Sequence, residues 1–211
     1  MVMDGAPPEA LQSGRRRRQP PAERRQDILA AAVKCLARLG PRGATGREIC
    51  REAGVSHGLL RHYFNNPENL LLETYQTLCD QCLDAIEADM APFADAPWEA
   101  IQRIFGELIA DRWASPDVLG AWTAFWTLVG THEEFAAVSA GFYRRLRGLL
   151  ERAADRLPEA ERTPLPMEDA IVILLAVMDG LWLEFCLAPQ RTSRERAVEL
   201  FGIAARRILG R

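Results

Sequence analysis

Residues 45–64 read TGREICREAGVSHGLLRHYF, and this stretch decides the fold. Thr45 and the glutamate three residues later form a capping box, in which the Thr oxygen accepts an unpaired helix N–H and the Glu side chain reaches back. The box predicts a short helix that ends near Ala53. Gly54 permits a turn with positive φ, and Ser56 caps a second short helix that runs to the end of the stretch. Two short helices joined by a tight glycine-containing turn are typical of a helix-turn-helix.

One longer helix is predicted before this pair. Its apolar stripe consists of Ile28, Ala32, Leu36 and Leu39, which recur at the spacing of one helix face. The helix should extend from about Glu23 to Leu39, because a Gly-Pro stop signal follows. Residues 1–21 contain four prolines and the consecutive arginines Arg15 to Arg18. This composition predicts a disordered basic arm.

Six further helices are predicted after residue 66, and no strand-like alternation accompanies them. Their start signals are Asn66-Pro67, Pro97, Ser115-Pro116, a second capping box from Thr131 to Glu134, Glu168, and a last cap from Thr192 to Glu195. The fourth helix should reach about Met90 and the eighth, which is apolar on nearly all sides, should reach Leu187. The predicted fold class is therefore all-α, with an arm at 1–21, a three-helix helix-turn-helix domain at 22–66 and a larger helical domain at 67–211.

The charge of the chain is unevenly distributed. A net charge of −3, from 26 basic and 29 acidic residues, argues on its own against a nucleic-acid partner. Residues 1–64 nevertheless carry +6 and the remainder −9, which is a sign of a polyanion-binding segment joined to an acidic body. Nearly all the basic residues are arginine. Arginine suits phosphate and guanine contacts, but a GC-rich genome produces the same bias.

The second short helix is the candidate reading helix. Leu59, Leu60 and Phe64 are expected to pack inward, which leaves the polar residues of the helix facing a DNA groove. Arg61 is the expected base reader, because a guanidinium pairs with both acceptors on the guanine edge. The neighbouring histidines and the Tyr63 hydroxyl can donate to bases or phosphates. The candidate DNA-contacting residues are Thr45, Arg47, Ser56, His57, Arg61, His62, Tyr63 and Asn66.

From Arg24 to Leu72 the chain carries, in order, the Thr45 helix start, the Ala53-Gly54-Val55-Ser56 turn, Gly58, His62-Tyr63-Phe64 and the exit from Asn66 to Leu70. In this order the motifs resemble the N-terminal domain of TetR-family transcriptional regulators. Residues 58–64, 121–126 and 179–183 are similar to the BetI-like subgroup, whose namesake represses choline-to-betaine genes. Two positions depart from the family: Arg61 replaces a common tyrosine, and Pro67 replaces a lysine that commonly contacts phosphate.

The resemblance implies a ligand-responsive regulator that binds double-stranded DNA, with an all-helical C-terminal domain that dimerises and holds a ligand pocket. Dimerisation is also expected because residues 168–187 and the last helix present more apolar surface than a monomer leaves exposed. A twofold dimer places its reading helices about 34–36 Å apart on a palindromic operator.

The acidic remainder contains a candidate ligand site that combines aromatic rings with a carboxylate. An aromatic stripe is more often core than pocket, but Asp179 and Glu184 lie in the most apolar helix, where unpaired carboxylates are costly. A quaternary ammonium or polyamine would account for both features. Pairing of the acids with Arg112 or Arg144 is the alternative. The candidate ligand-binding residues are Phe105, Trp113, Trp122, Phe125, Trp126, Met178, Asp179 and Trp182.

The sequence predicts a cytoplasmic protein with no catalytic residues, metal or cofactor. The N-terminus lacks an apolar leader, and the stretch 170–178 is interrupted by Asp179 and Glu184 and is expected to be too short and too charged to span a bilayer. The five cysteines are an odd, scattered set, typical of reduced thiols. Cys79 and Cys82 form a CxxC without a second pair, inside a helical pattern.

The sequence therefore predicts a repressor, with two alternatives from other classes. One is an all-α enzyme that uses Cys79 and Cys82 or a carboxylate among the aromatic residues. The other is a helical protein-interaction module whose basic arm binds RNA or acidic partners. The sequence shows no nucleophile–base pair, phosphate loop or metal-ligand spacing that would support the enzyme alternative.

Overall fold

The structure, a computed structural model, describes residues 20–188 and 190–210. Most of the predicted arm, including Arg15 to Arg18, lies outside these residues. The described residues form nine α-helices and no strand: α1 (Pro21–Gly43), α2 (Gly46–Ala53), α3 (His57–Phe64), α4 (Pro67–Met90), α5 (Pro97–Leu108), α6 (Pro116–Val129), α7 (Glu133–Ala154), α8 (Met167–Leu187) and α9 (Arg194–Leu209). The all-α fold class is confirmed.

Helices α1 to α3 form the N-terminal head. The predicted stop after the first helix is where α1 breaks, because Gly40 has a φ of 66°, a conformation that glycine adopts without steric cost. Gly54, with a φ of 63°, makes the turn between α2 and α3. Leu60 and Phe64 of α3 are buried and belong to the same hydrophobic core as Ile28, Leu36 and Ile49, all less than 3% exposed. Helix α3 also contacts its two neighbours in the chain, α2 and α4.

The helix starts follow the cap signals, with two exceptions. Thr131 is not a cap: α7 begins after His132, whose side chain makes no cap hydrogen bond, because the Thr131 hydroxyl donates to the carbonyl of Thr127 at 3.1 Å. The last helix is capped by Ser193, not Thr192; the Ser193 Oγ accepts from the N–H of Arg196 at 3.2 Å. In both segments the side chain forms a local hydrogen bond that differs from the predicted one.

The remaining helices, α4 to α9, form the body, and α6 of the body packs on α1 of the head. A Cβ atom on Gly120 of α6 would lie only 2.7 Å from the Cα atom of Ala37 on α1. The absence of a side chain at Gly120 therefore allows the two helix backbones to approach closely. Helix α6 also contributes Trp122 and Phe125 to the buried interior of the body, so one rigid element contacts both regions.

Helix α8 is the most apolar helix. By length and composition it is the one helix in the described ranges that could cross a membrane, so the expectation that it is too short and too charged is wrong on those criteria. Ile171, Leu174 and Met178 on one face are completely buried. Val172 and Ile173 on another face are 50% and 44% exposed. A helix that packs on its own chain with one face and on a partner protein with the other face is equally long and apolar.

Candidate nucleic-acid interface and ligand cavity

The N-termini of three helices lie close together on the head. Thr45, Ser56 and Asn66 cap α2, α3 and α4, and their side-chain oxygens accept backbone N–H groups at 3.4, 3.2 and 2.7 Å. A Cβ on Gly46 would lie 3.0 Å from Pro67 Cγ and 3.6 Å from His57 Cε1. Helix N-termini carry partial positive charge and unpaired N–H groups. Their convergence forms a surface suited to a phosphate group.

The three caps retain hydrogen-bond donors while they cap. A hydroxyl that accepts one N–H can still donate its own proton, and the amide of Asn66 keeps its two N–H donors. Pro67, which replaces the family's common lysine, occupies the first turn of α4 beside Gly46. It therefore contributes packing at this surface and no charge.

Two arginines of the head, one on α1 and one on α2, are already paired with glutamates. Arg38 pairs with Glu52 at 3.5 Å, and Arg51 pairs with Glu48. The side chain of Glu48 is thereby engaged with Arg51, and the Thr45 N–H donates to the carbonyl of Gly43, so only the Thr half of the predicted capping box forms.

Arg47 and Arg61 are exposed and have no ion-pair partner among the residues that the structure describes. The remaining candidate DNA-contacting residues are exposed apart from Tyr63, which is partly buried against the core beside Phe64. The structure thus places all eight candidates on one head, and contact with DNA remains a prediction.

A cavity of about 30 Å³ lies in the body, with room for about one or two water molecules. Its wall combines seven aromatic rings with a single carboxylate. The lining residues are Tyr75, Leu108, Trp113, Trp122, Trp126, Phe142, Tyr143, Leu146, Asp179 and Trp182. They come from α4, α5, the turn after α5, α6, α7 and α8.

Five of the eight candidate ligand-binding residues lie in this wall, and three do not. Phe105 stacks on Phe201 at 4.7 Å, where α5 packs on α9. Phe125 stacks on Tyr75 at 4.5 Å and is fully buried, as is Met178. These three side chains are core residues in this structure, so the ligand-site prediction narrows to the tryptophans and Asp179.

Sequence reasoning missed three aromatic wall residues, Tyr75, Phe142 and Tyr143. Tyr75 and Phe142 lie on the apolar stripes of α4 and α7, and such a stripe does not distinguish a core position from a cavity wall. Burial raises the pKa of Tyr75 to about 12. Its hydroxyl therefore stays protonated near neutral pH.

Asp179 is held by a tyrosine and not by an arginine. The residue is exposed on α8, but its carboxyl group is part of the cavity wall and accepts a hydrogen bond from the Tyr143 hydroxyl at 3.1 Å. Burial raises the pKa of Asp179 above its usual value, and the Tyr143 bond opposes part of that rise.

The alternative pairing of these acids with Arg112 or Arg144 does not occur among the residues described. Glu184 pairs with Arg191 at 3.4 Å, and Arg112 pairs with Glu107. Asp179 is therefore a carboxylate without a cationic partner in the described ranges, and it faces a cavity lined by aromatic rings.

The CxxC thiols lie inside the protein. Cys79 and Cys82 on α4 are 3% and 0% exposed. Burial raises the pKa of Cys82 to about 12 and also raises that of Cys79. A nucleophile or metal ligand needs the thiolate, so both side chains are suited to packing.

Two protein-family models match the chain. The model for bacterial regulatory proteins of the tetR family matches residues 28–74. The model for the C-terminal domain of BetI-type transcriptional repressors matches residues 97–210.

Individual proteins resemble nearly the whole chain. The HTH-type transcriptional regulator BetI of Agrobacterium fabrum is 32% identical over 168 residues, which are 78% of this chain and 77% of that protein. A solved structure of a transcriptional regulator from Pseudomonas aeruginosa PAO1 is 30% identical, with a TM-score of 0.76 over 92% of this chain and 94% of that one. A Saccharomonospora viridis regulator solved in complex with choline shares the fold, with a TM-score of 0.77 at 18% identity over 90% of this chain and 99% of that one.

Proposed function

The chain belongs to the TetR family of bacterial regulatory proteins, with a BetI-type C-terminal domain, and from this premise we propose that it is a homodimeric repressor released from a palindromic operator by a small cationic ligand. That it is a DNA-binding transcriptional regulator follows from the family itself. Its relatives are regulators and not enzymes. We propose a cytoplasmic location, where it meets DNA.

The observation that carries the proposal is the aromatic cavity with one carboxylate. The faces of Trp rings attract cations, most strongly when water is excluded. Asp179 supplies the opposite charge, and its side-chain partner in the described ranges is the neutral Tyr143 hydroxyl. A quaternary ammonium combines charge with apolar methyl groups and so matches both parts of the wall. Choline, the molecule bound to the Saccharomonospora viridis regulator, is the first ligand to test.

The same helices that line the cavity also contact the head. Tyr75 projects from α4, whose N-terminus is capped by Asn66 beside the reading helix. Trp122 projects from α6, which touches α1 at Gly120. We expect a bulky ligand that binds between these walls to push them apart. Displacement of α4 and α6 then changes the position of the head, and operator affinity falls by a coupling energy of about 1–3 kcal/mol.

The proposed dimer interface is the exposed apolar face of α8 and α9. Val172, Ile173 and Leu187 of α8 are 50%, 44% and 64% exposed, and Ile203 of α9 is 49% exposed. Contiguous exposed apolar residues are typical of protein–protein contacts, and a twofold axis through this face pairs two heads for two half-sites.

The proposal is tested by selecting DNA from a random pool with the full-length protein and measuring affinity for the winner over a range of salt concentrations. We expect a palindromic site and a steep loss of affinity with salt. Saturating choline should weaken that binding by about 5- to 150-fold. Calorimetry establishes whether choline binds, and Asp179→Asn is the control for the cation site. If choline binds and operator affinity is unchanged, release by this ligand is contradicted. If the selection yields no preferred sequence, the proposed palindromic operator is contradicted.

A further inference from the structure

We infer that Glu107 is a positioning residue of the ligand cavity, because its buried carboxylate holds the indole ring of Trp113 in the cavity wall. Glu107 lies in the last turn of α5 and is not itself a lining residue of that cavity. Its role is to orient a residue that is. The inference concerns the ring's position, and it rests on the proposed function only for the consequence for ligand affinity.

The carboxylate of Glu107 is an unusual group for its location. Thr74 and Glu107 are the buried polar side chains in the described part of the chain, at 1% and 8% exposure. The Thr74 hydroxyl donates to the carbonyl of Leu70 in its own helix at 2.7 Å, which accounts for its burial. Glu107 is thus the one buried side chain of the described ranges that carries a formal charge, and such a group is costly unless it is paired.

Glu107 has two partners, and both are donors from the turn that follows α5. Its Oε1 accepts the indole Nε1–H of Trp113 at 2.7 Å and the Nε–H of Arg112 at 2.7 Å. The guanidinium of Arg112 also lies 5.9 Å from the centre of the Trp113 ring. The three side chains therefore form one connected unit, and each bond in it is charge-assisted and so stronger than a neutral one.

Trp113 needs this support because no regular helix holds it. The segment 109–115 between α5 and α6 is a series of turns in which the N–H of Trp113 bonds to the carbonyl of Ala110 at 2.8 Å. Trp113 is only 7% exposed, so its indole N–H must find an acceptor inside the protein. Glu107 supplies that acceptor, and the bond selects one orientation of the ring.

The orientation matters because an aromatic ring binds a cation with its face and not with its edge. A ring held in place before the ligand arrives loses no conformational freedom on binding. Without Glu107 the indole N–H has no acceptor, and we expect the Trp113 ring to lose this orientation in the wall.

The test uses two substitutions and a matched control. Glu107→Leu fills similar volume without an acceptor, whereas Glu107→Gln keeps a carbonyl oxygen for the indole N–H. Asp111→Asn is the control, because Asp111 is an exposed acid in the same turn that pairs with Arg194. The readout is the ¹H–¹⁵N resonance of the Trp113 indole in the full-length, ligand-free protein, which Trp113→Phe identifies by its disappearance.

We expect the Trp113 indole resonance to shift and to exchange faster with solvent in Glu107→Leu, with a smaller change in Glu107→Gln and none in Asp111→Asn. Affinity for tetramethylammonium should fall by about ten- to thirtyfold in Glu107→Leu. An unchanged Trp113 resonance in folded Glu107→Leu would overturn the inference. If the wild-type protein does not bind tetramethylammonium, the proposed ligand class fails, and the Trp113 resonance still decides the role of Glu107.

Discussion

Arg61, like Arg47, has no ion-pair partner among the described residues, in contrast to two other arginines of the head. Arg38 and Arg51 are engaged with Glu52 and Glu48, and such partners compete with DNA for the same donors. Arg61 lies exposed in the last turn of the reading helix. Its guanidinium is therefore available for bidentate contact with a base edge.

Arg61→Ala should lower the preference for one base position by about 1–3 kcal/mol, whereas Tyr63→Phe should weaken binding to all sequences. Arg38→Ala is the matched control, since its guanidinium is already paired with Glu52. The measurement is the dissociation constant on the selected operator, on single-base variants and on random DNA. Equal losses on specific and random DNA for Arg61→Ala would remove Arg61 as a base reader.

The caps of α2, α3 and α4 were predictable at the residue scale, because Thr, Ser and Asn oxygens satisfy N–H groups within three residues of themselves. The pairing of Glu48 with Arg51 was not predicted, because the Glu48 side chain can reach either the Thr45 N–H of a capping box or Arg51, three residues further along the same helix. The Glu107–Trp113 bond was hidden because the two residues lie six positions apart, across the irregular turn that follows α5.

At the scale of helices, the contact between α1 and α6 depends on one position. The backbone of Ala37 occupies the space that a side chain at Gly120 would need. Backbone atoms cannot rotate aside as a flexible side chain can. Any side chain at Gly120 must therefore move α6 away from α1.

Gly120→Ala should destabilise the protein by about 1–3 kcal/mol, because the added methyl group overpacks the α1–α6 contact. The control is Gly141→Ala in α7, where no atom lies within 4 Å of the added Cβ. That substitution should stabilise by about 0.5–1 kcal/mol, since alanine favours a helix interior. Urea unfolding measures both changes, and effects of the same sign would contradict the argument.

Helix bounds were largely predictable and helix partners were not. Proline at the first turn marks α4, α5 and α6 directly in the sequence, because its fixed φ suits that position. Periodicity shows that a face is buried but not what covers it. Phe125 and Trp122 lie three residues apart on α6, yet only Trp122 reaches the cavity, and the sequence contains no sign of that difference.

On the scale of the whole molecule, the surfaces proposed for dimerisation and for DNA binding are different. The proposed interface on α8 and α9 lies on the body, whereas the candidate DNA-contacting residues lie on the head. A change at the interface should therefore leave each head intact. It should affect operator binding only through the loss of the second half-site.

Ile173→Asp should produce a folded monomer, because Ile173 is 44% exposed in the single chain and a charge is costly only when a partner buries it. Operator affinity should fall steeply, while weak binding to random DNA persists. Thr123→Asp, on the exposed face of α6, adds the same charge elsewhere and should remain dimeric. Sedimentation and operator titration give the comparison, and a dimeric Ile173→Asp protein would place the interface on another face.

In the proposed mechanism, the narrow space between the cavity walls distinguishes two kinds of ligand. A molecule that pushes α4 away from α6 uses part of its binding free energy to move these helices. That movement is what lowers the affinity for the operator. A molecule small enough to occupy the cavity without parting the helices binds the DNA-binding and the released conformations equally well. It therefore does not shift the equilibrium between them. Such a compact molecule would be an antagonist that fills the site and leaves the protein on its operator. Potency as an inducer should thus follow a ligand's bulk rather than its fit to the empty site.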